Sequence, residues 1–246
     1  MSVLTEHQKR QYGDDGFVAV PSLVEESRLA AMRTRIEYLC ENWEGEEAER
    51  VGVGQEMDQG NTAVAERTAV TVRKFSELTK HEPVFDEYMR NSKVADVAAE
   101  LIGTPIGLFA DQALMKPPEV GSGKPFHQDN AYFKVTPDDG VITCWCALDE
   151  ATIENGCLYY LAGSHKRGLV EHEQIENTPH LVPKGLHRED AVAVPAKPGT
   201  VVFHHGWALH MSPPNTTNSW RRAMVLHFVR LDAESPKKTE KPERIR

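Results

Sequence analysis

His127 and Asp129 stand two residues apart in Phe126-His127-Gln128-Asp129-Asn130. On an extended strand, positions i and i+2 share a face, so an imidazole and a carboxylate there can converge on one ion. A third donor must come from elsewhere in the chain. His210, within Leu209-His210-Met211-Ser212-Pro213-Pro214-Asn215, is the natural candidate. Two imidazoles and a carboxylate on one face of an octahedral ion leave three positions open, the arrangement of non-heme Fe(II) oxygenases that admit both a co-substrate and O2. Arg221 follows His210 by eleven residues, and a guanidinium can hold a carboxylate through two parallel hydrogen bonds. Arg222 comes next in the chain. Consecutive strand residues point to opposite faces, so one of the pair turns inward and the other outward.

Other residues that could do chemistry have plainer readings. His204-His205 closes an apolar run, and adjacent strand residues cannot both face one ion, so structure or solvent exposure is expected for them. His165, in a Gly-Ser-His turn, is expected to hydrogen-bond backbone. Cys40, Cys144, Cys146 and Cys157 form no zinc or disulfide pattern and are expected to be small buried side chains.

The elements that must position these residues fall into two regions. Apolar spacing predicts helices over 4–13, 25–42 and 84–102, the second with Leu29, Met32, Ile36 and Leu39 on one face. A short strand is expected at 16–21, and the acidic, Gly-rich stretch 43–66 reads as a surface loop. From 106 onward, short apolar or alternating runs at 106–115, 131–135, 141–148, 157–161, 191–194, 200–204 and 223–230 are divided by Pro, Gly and Asn. Such a series predicts an all-β sandwich or barrel. The expected organisation is one domain over 1–232, with a helical part at 1–105 and a β core at 106–232. The charged tail 233–246 has little to bury and is expected to be disordered.

Composition narrows the class further. The chain has 246 residues, a net charge of −9 and 40% hydrophobic residues, with a mean hydropathy of −0.48. No apolar run approaches the roughly 20 residues of a membrane span, and the N-terminal residues do not read as a secretory or transit signal. A negative charge without a basic stripe argues against nucleic-acid binding. A cytoplasmic enzyme acting on a small molecule is expected, with a monomer favoured.

Several motifs agree in order and spacing with one family. Lys116-Pro117-Pro118, His127-Gln128-Asp129, the run Trp145 to Thr152, Glu154-Asn155-Gly156-Cys157-Leu158, Gly163-Ser164-His165 and His210-x-Ser212-x-x-Asn215 followed by Arg221 together resemble the phytanoyl-CoA dioxygenase family over residues 10–230. The resemblance implies a mainly β fold, a double-stranded β-helix (a cupin-like jelly roll) with outer helices, using Fe(II), 2-oxoglutarate and O2. It assigns His127, Asp129 and His210 as iron ligands. Arg221 and Ser212 match the residues at the distal carboxylate of 2-oxoglutarate, and Trp145 a residue lining its pocket. Gln112 and Lys74 are similar to two further co-substrate contacts, with Arg73 able to take the place of Lys74. Glu154-Asn155-Gly156 is expected to shape a turn. Asn130, Tyr132 and Phe133 follow the ligand strand and are candidates for lining the substrate cavity.

The implied reaction is hydroxylation of a bound substrate, coupled to conversion of 2-oxoglutarate to succinate and CO2. No side-chain general base is required. Loops 43–66 and 166–190 are expected to frame the entrance and carry specificity. Lys184 and Arg188 are the basic residues near the centre of the second loop, thin provision for a coenzyme A phosphate, so a small or medium polar metabolite is preferred. Desaturation on the same iron centre, or a non-catalytic metal-binding sensor built on the same barrel, are the alternatives. Halogenation is disfavoured because Asp129 occupies the position that such enzymes leave to a small residue.

Overall fold

The computed structural model describes residues 2–185, 190–238 and 240–246. Three helices lead into the first strands: α1 (Glu6–Asp15), α2 (Glu26–Glu41) and α3 (Glu46–Arg50), with β1 (Phe17–Val20), β2 (Gly52–Gln55) and β3 (Val72–Ser76). Next come α4 (Leu78–His81), α5 (Pro83–Asn91) and α6 (Lys93–Ile102). The β-rich part then supplies β4 (Ile106–Lys116), β5 (Lys124–His127), the short helix α7 (Asp129–Phe133), β6 (Val141–Ala147) and β7 (Leu158–Tyr160). It closes with β8 (His172–Gln174), β9 (Leu181–Pro183), β10 (Val192–Val194), β11 (Val201–His205), β12 (His210–Ser212) and β13 (Arg221–Arg230).

Pairing is antiparallel throughout. A seven-stranded sheet runs β1-β11-β6-β13-β4-β3-β2 and a four-stranded sheet runs β10-β7-β12-β5, with β8 and β9 as a separate hairpin. This is the double-stranded β-helix expected from the resemblance. Side-chain alternation divides the large sheet cleanly. Cys144 and Cys146 of β6 and Met224, Leu226 and Phe228 of β13 pack with the helices in one core, which includes Leu29, Met32, Ile36 and Leu39 of α2. Trp145 and Ala147 of β6 and Ala223 and Val225 of β13 belong to a second cluster on the opposite face. Both faces of β6 are therefore covered, and all seven of its residues are buried. All four cysteines are free and buried.

The boundaries follow local chemistry. α1 opens on a reciprocal Thr5–Gln8 capping box and ends at Gly16, whose φ of 84° suits a residue without Cβ. The helix predicted over 84–102 is two helices, because Ser92 leaves helical geometry and its Oγ accepts the amide of Val94 to start α6. The strand predicted at 131–135 is instead the end of α7. Lys134 ends that turn in left-handed conformation, and the side chain of Asn130 bonds both the N–H and the C=O of Val135. Stretch 43–66 is more ordered than a loop, holding α3, β2 and a 3-10 turn at Glu56–Gln59.

The tail also departs from expectation. Glu234 bridges Thr136, Arg244 bridges Gly107, and Ile245 and Arg246 exchange main-chain hydrogen bonds with Ile106. Glu243 forms an ion pair with Arg90 at 2.7 Å. The tail finds partners because the start of β4 offers unpaired main-chain groups, and Gly107 lets the tail backbone approach where a Cβ would lie 2.6 Å from the Glu243 carbonyl.

Glu154-Asn155-Gly156 builds a turn, as its composition suggests. Asn155 accepts the Thr152 amide at 2.8 Å and donates to the Glu150 carbonyl at 2.8 Å. Gly156 has φ of +91°, and a Cβ there would meet the Pro213 carbonyl at 2.5 Å and the Lys116 side chain at 2.8 Å. Left-handed strain and overpacking together predict that Gly156→Ala costs about 2 kcal/mol, a fall in Tm of roughly 4–8 °C for a chain of this size. A thermal melt of the variant matching wild type would show that the turn has room to relax.

Candidate metal and co-substrate site

The small sheet and the large sheet face each other across a cavity of about 350 Å3 that contains His127, Asp129, His210, Trp145, Ser212, Gln112, Lys74 and Arg221. His127 and His210 sit directly opposite each other on β5 and β12. Asp129 is not on the strand: it opens α7, and this first helical turn returns its carboxylate to the same side as His127. One ligand atom from each of the three residues lies within 4.8 Å of the others. Asp129 Oδ1 stands 3.5 Å from His127 Nε2 and 3.8 Å from His210 Nε2.

Hydrogen bonding behind the ligands decides which atoms face the ion. His127 Nδ1 lies 2.9 Å from the Pro125 carbonyl and His210 Nδ1 lies 2.9 Å from that of Ala208. A carbonyl accepts only, so both Nδ1 atoms carry the proton and both Nε2 lone pairs point at the shared space. Burial, and then the neighbouring His210, hold His127 well below its ordinary range, at about 3, so it stays neutral and able to ligate. Asp129 Oδ2 accepts from Thr143 Oγ1 at 2.5 Å and from His204 Nε2 at 3.0 Å, which leaves Oδ1 as the free oxygen. Although burial opposes it, the surrounding His210, His127 and His204 hold this carboxyl well below its usual value. Two imidazole nitrogens and one carboxylate oxygen make a donor set that fits Fe(II).

The outer partners escaped the sequence reading. His204 is buried on the inner face of β11, and its Nδ1 accepts the Tyr160 hydroxyl at 2.7 Å. Thr143 in turn accepts from His227 Nδ1 at 2.9 Å. The expectation that His204 and His205 cannot share an ion holds, since His205 accepts the Trp207 amide instead. The inner residue of the pair nevertheless positions the Asp129 carboxylate. His165 binds a backbone carbonyl, that of Gly13, as expected.

Arg221 is 4% exposed, and its Nε and Nη1 have no hydrogen-bond partner among the described residues. Its guanidinium lies 5.5 Å from the centre of the Trp145 ring. Burial, followed by the charge of Arg73, pushes it down to about 9, so it remains a cation at neutral pH. Arg222, the outward residue, is far from idle: it grips Asp149 through Nε at 2.7 Å and Nη2 at 2.9 Å and reaches Glu37 at 2.5 Å. A desolvated guanidinium with idle donors, in one cavity with a metal donor set, fits an acid such as 2-oxoglutarate.

Lys74 and Arg73 both reach the cavity, but Arg73 is occupied by Glu56 at 2.9 Å and by the Ser122 carbonyl at 3.0 Å. Lys74 has no carboxylate partner among the described residues and lies along Gly54, where a Cβ would come 2.8 Å from its Cγ. Tyr132 and Phe133 line the cavity, whereas Asn130 does not, because its amide is committed to the Val135 loop. Asn215 ties the carbonyls of Lys116, Pro117 and Ser219 together behind Arg221.

Second-layer partners of this kind typically contribute 10–100-fold to metal affinity. We expect His204→Ala and Thr143→Val each to weaken Fe(II) binding by roughly that factor while leaving the far-ultraviolet circular dichroism unchanged. Wild-type affinity in both variants, by anaerobic metal titration, would mean that Asp129 needs neither.

Comparison with known proteins agrees with this geometry. The model of the family described as phytanoyl-CoA dioxygenase (PhyH) matches residues 12–223. A probable phytanoyl-CoA dioxygenase of Caenorhabditis elegans is 29% identical over 245 residues, covering 94% of this chain and 77% of the relative. A methylphosphonate hydroxylase of Gimesia maris is 27% identical over 233 residues, covering 92% of this chain and 81% of the relative. Among solved structures, the non-heme alpha-ketoglutarate-dependent carbocyclase SnoK superposes with a TM-score of 0.74 over 97% of this chain and 88% of that one, at 23% identity, and so shares the fold. With its triad, its idle buried guanidinium and a match spanning most of its length, the chain belongs to the phytanoyl-CoA dioxygenase family.

Proposed function

We propose that this protein is an Fe(II)- and 2-oxoglutarate-dependent dioxygenase that hydroxylates a small or medium-sized polar metabolite, with release of succinate and CO2. The observation that carries the reading is Arg221: a buried cation with two idle nitrogens, in the same cavity as a triad whose outer hydrogen bonds aim three lone pairs at one point. Bound iron supplies the activation of O2 that couples decarboxylation of the co-substrate to oxidation of the substrate.

The chain's own residues supply placement. His127, His210 and Asp129 Oδ1 hold the ion, and Arg221 with Ser212 takes the carboxylate farthest from it. Trp145 backs the guanidinium, while Gln112 and Lys74 border the same space. Gln59 and Pro179 bring the two entrance segments to the cavity rim, and the segments meet where a Cβ on Gly60 would lie 3.1 Å from Thr178. A cavity of about 350 Å3 suits a co-substrate with a modest substrate. Lys184 is engaged by Glu171 at 2.5 Å rather than offered to a phosphate, and Arg188 lies outside the described residues. No described helix is long and apolar enough to cross a membrane.

Iron stoichiometry and co-substrate affinity test the reading separately. Wild-type protein should bind about one Fe(II) per chain, and His127→Ala or His210→Ala should lose it, since each leaves two protein ligands. Arg221→Ala should keep its iron but raise the Kd for 2-oxoglutarate roughly 10–150-fold, from a loss of about 1.5–3 kcal/mol for a charge-assisted pair. The absorbance band of the anaerobic Fe(II)–2-oxoglutarate complex reports both. Arg222→Ala should leave that Kd nearly unchanged and instead lower stability by stranding Asp149. Equal 2-oxoglutarate affinity in wild type and Arg221→Ala would sink the co-substrate assignment and favour a non-catalytic binding protein.

A further inference from the structure

We infer that the cavity contains a second anion site, built from Lys124 and Tyr132 and separate from the Arg221 end, which holds a phosphonate, phosphate or carboxylate group of the substrate. This rests on the oxygenase reading of the metal site and narrows its substrate class.

Donor accounting carries the inference. Lys124 lies on β5, opposite Ser212, where an irregularity in the pairing of β5 with β12 brings its side chain to the cavity. Its Nζ donates to the Tyr132 hydroxyl at 3.0 Å and to His180 Nδ1 at 3.0 Å. An ammonium is donor-only with three N–H groups, so His180 Nδ1 accepts and one N–H of Lys124 is left over. The Tyr132 oxygen also accepts the Leu181 amide at 2.7 Å. Both its lone pairs are then used, and its own proton has no acceptor among the described residues. Two adjacent residues that line the cavity thus each keep one donor, an N–H and an O–H, without an acceptor among the described residues.

Charge points the same way. No carboxylate pairs with Lys124 among the described residues, although burial and the nearby Arg73 weigh against its charged form. The acid closest to hand, Asp129, is committed to the metal. Iron with Asp129 would carry one net positive charge, 2-oxoglutarate two negative ones and Arg221 one positive, a sum of zero that Lys74 and Lys124 both exceed. Lys124 is left as a surplus cation. The Tyr132 ring lies 5.9 Å from the His127 ring, so an anion held here is beside the metal ligands. The site is also coupled to the entrance, since Leu181 begins β9 of the hairpin that covers this side.

The test uses protein loaded anaerobically with Fe(II) and saturating 2-oxoglutarate, so that Arg221 is occupied. Ethylphosphonate and butyrate serve as anionic probes and butyramide as a neutral one, with binding read by calorimetry. Wild type should bind at least one of the anions and prefer butyrate to butyramide. Lys124→Met should weaken the bound anion tenfold or more, Tyr132→Phe should weaken it three- to tenfold, and Lys124→Arg should restore most of the affinity. The Kd for 2-oxoglutarate should move by less than twofold in Lys124→Met. Failure of wild type to bind either anion, or unchanged anion affinity in Lys124→Met, overturns the proposal. So does a parallel fall in 2-oxoglutarate affinity, which would assign Lys124 to the co-substrate. Preference for ethylphosphonate or for butyrate distinguishes a phosphonate or phosphate headgroup from a carboxylate. Absence of the 2-oxoglutarate band in wild type would instead defeat the dioxygenase reading, and the anion titration would stand by itself.

Discussion

Arg221 is buried to 4% exposure with Nε and Nη1 unbonded among the described residues, so folding removes a cation from water with no counter-charge paired to it there. An uncompensated buried ion costs several kcal/mol even after relaxation. The surroundings reduce this cost only in part. The Trp145 face lies 5.5 Å away, while the acids nearby are engaged by other arginines, Glu56 by Arg73 at 2.9 Å and Asp149 by Arg222 at 2.7 Å. Lys116, fully buried, donates to the Ser122 carbonyl at 2.6 Å; burial, then the charges of Arg221 and Arg73, hold it well below the ordinary lysine value, and it offers Arg221 no counter-charge. An anion is the partner this arrangement lacks, and a ligand supplying one would draw affinity from the charge left unmet in folding.

The metal end works by the opposite rule, since every ligand there is fully supported. Each imidazole spends its rear N–H on a main-chain carbonyl, and Asp129 spends one oxygen on Thr143 and His204. Those partners come from β6 and β11 of the large sheet, whereas His127 and His210 come from the small one. The ion therefore depends on the two sheets keeping their spacing, which the apolar clusters on both sides of β6 enforce. Register does the rest. On β13, Arg221 and His227 are three alternations apart on the inner face, so one strand supplies both the idle buried guanidinium and the support for Thr143.

How far the sequence could be read depended on the range of the interactions involved. The grouping of His127, Asp129 and His210 and the inward Arg221 were legible through motif resemblance; alternation alone requires only that one of Arg221 and Arg222 turn inward, and it does not place Asp129, which opens α7 rather than extending β5. The jelly roll was legible only through motif resemblance, since short strands alone do not distinguish a sandwich from a barrel. The break at Ser92 lay in a capping hydrogen bond that apolar spacing does not register. His204 was passed over because its partner, Asp129, is 75 residues away. Tyr132 was legible as a cavity-lining candidate, but Lys124 gave no signal, as the meaning of the pair lies in which donors remain idle once Leu181 and His180 are in place. The tail misled because its composition lacks an apolar face, yet it is held by main-chain pairing to β4, which composition does not describe.

The net charge of −9 and the cationic cavity are compatible because they act over different distances. Surface charges more than a Debye length apart, about 8 Å at physiological salt, are largely screened from an approaching ligand. Inside the cavity the effective dielectric is lower, and each unpaired donor counts for more. Selection of anions is therefore a property of the interior, decided after entry rather than by long-range attraction. The two ends of the cavity also need not compete. Arg221 is desolvated and lacks any acceptor for two of its nitrogens, so it favours a ligand group that replaces water entirely. Lys124 already has Tyr132 and His180 as partners and requires only completion. On the proposed assignment, a dianion that also chelates the metal would gain most at the first, and a substrate headgroup would be sufficient for the second.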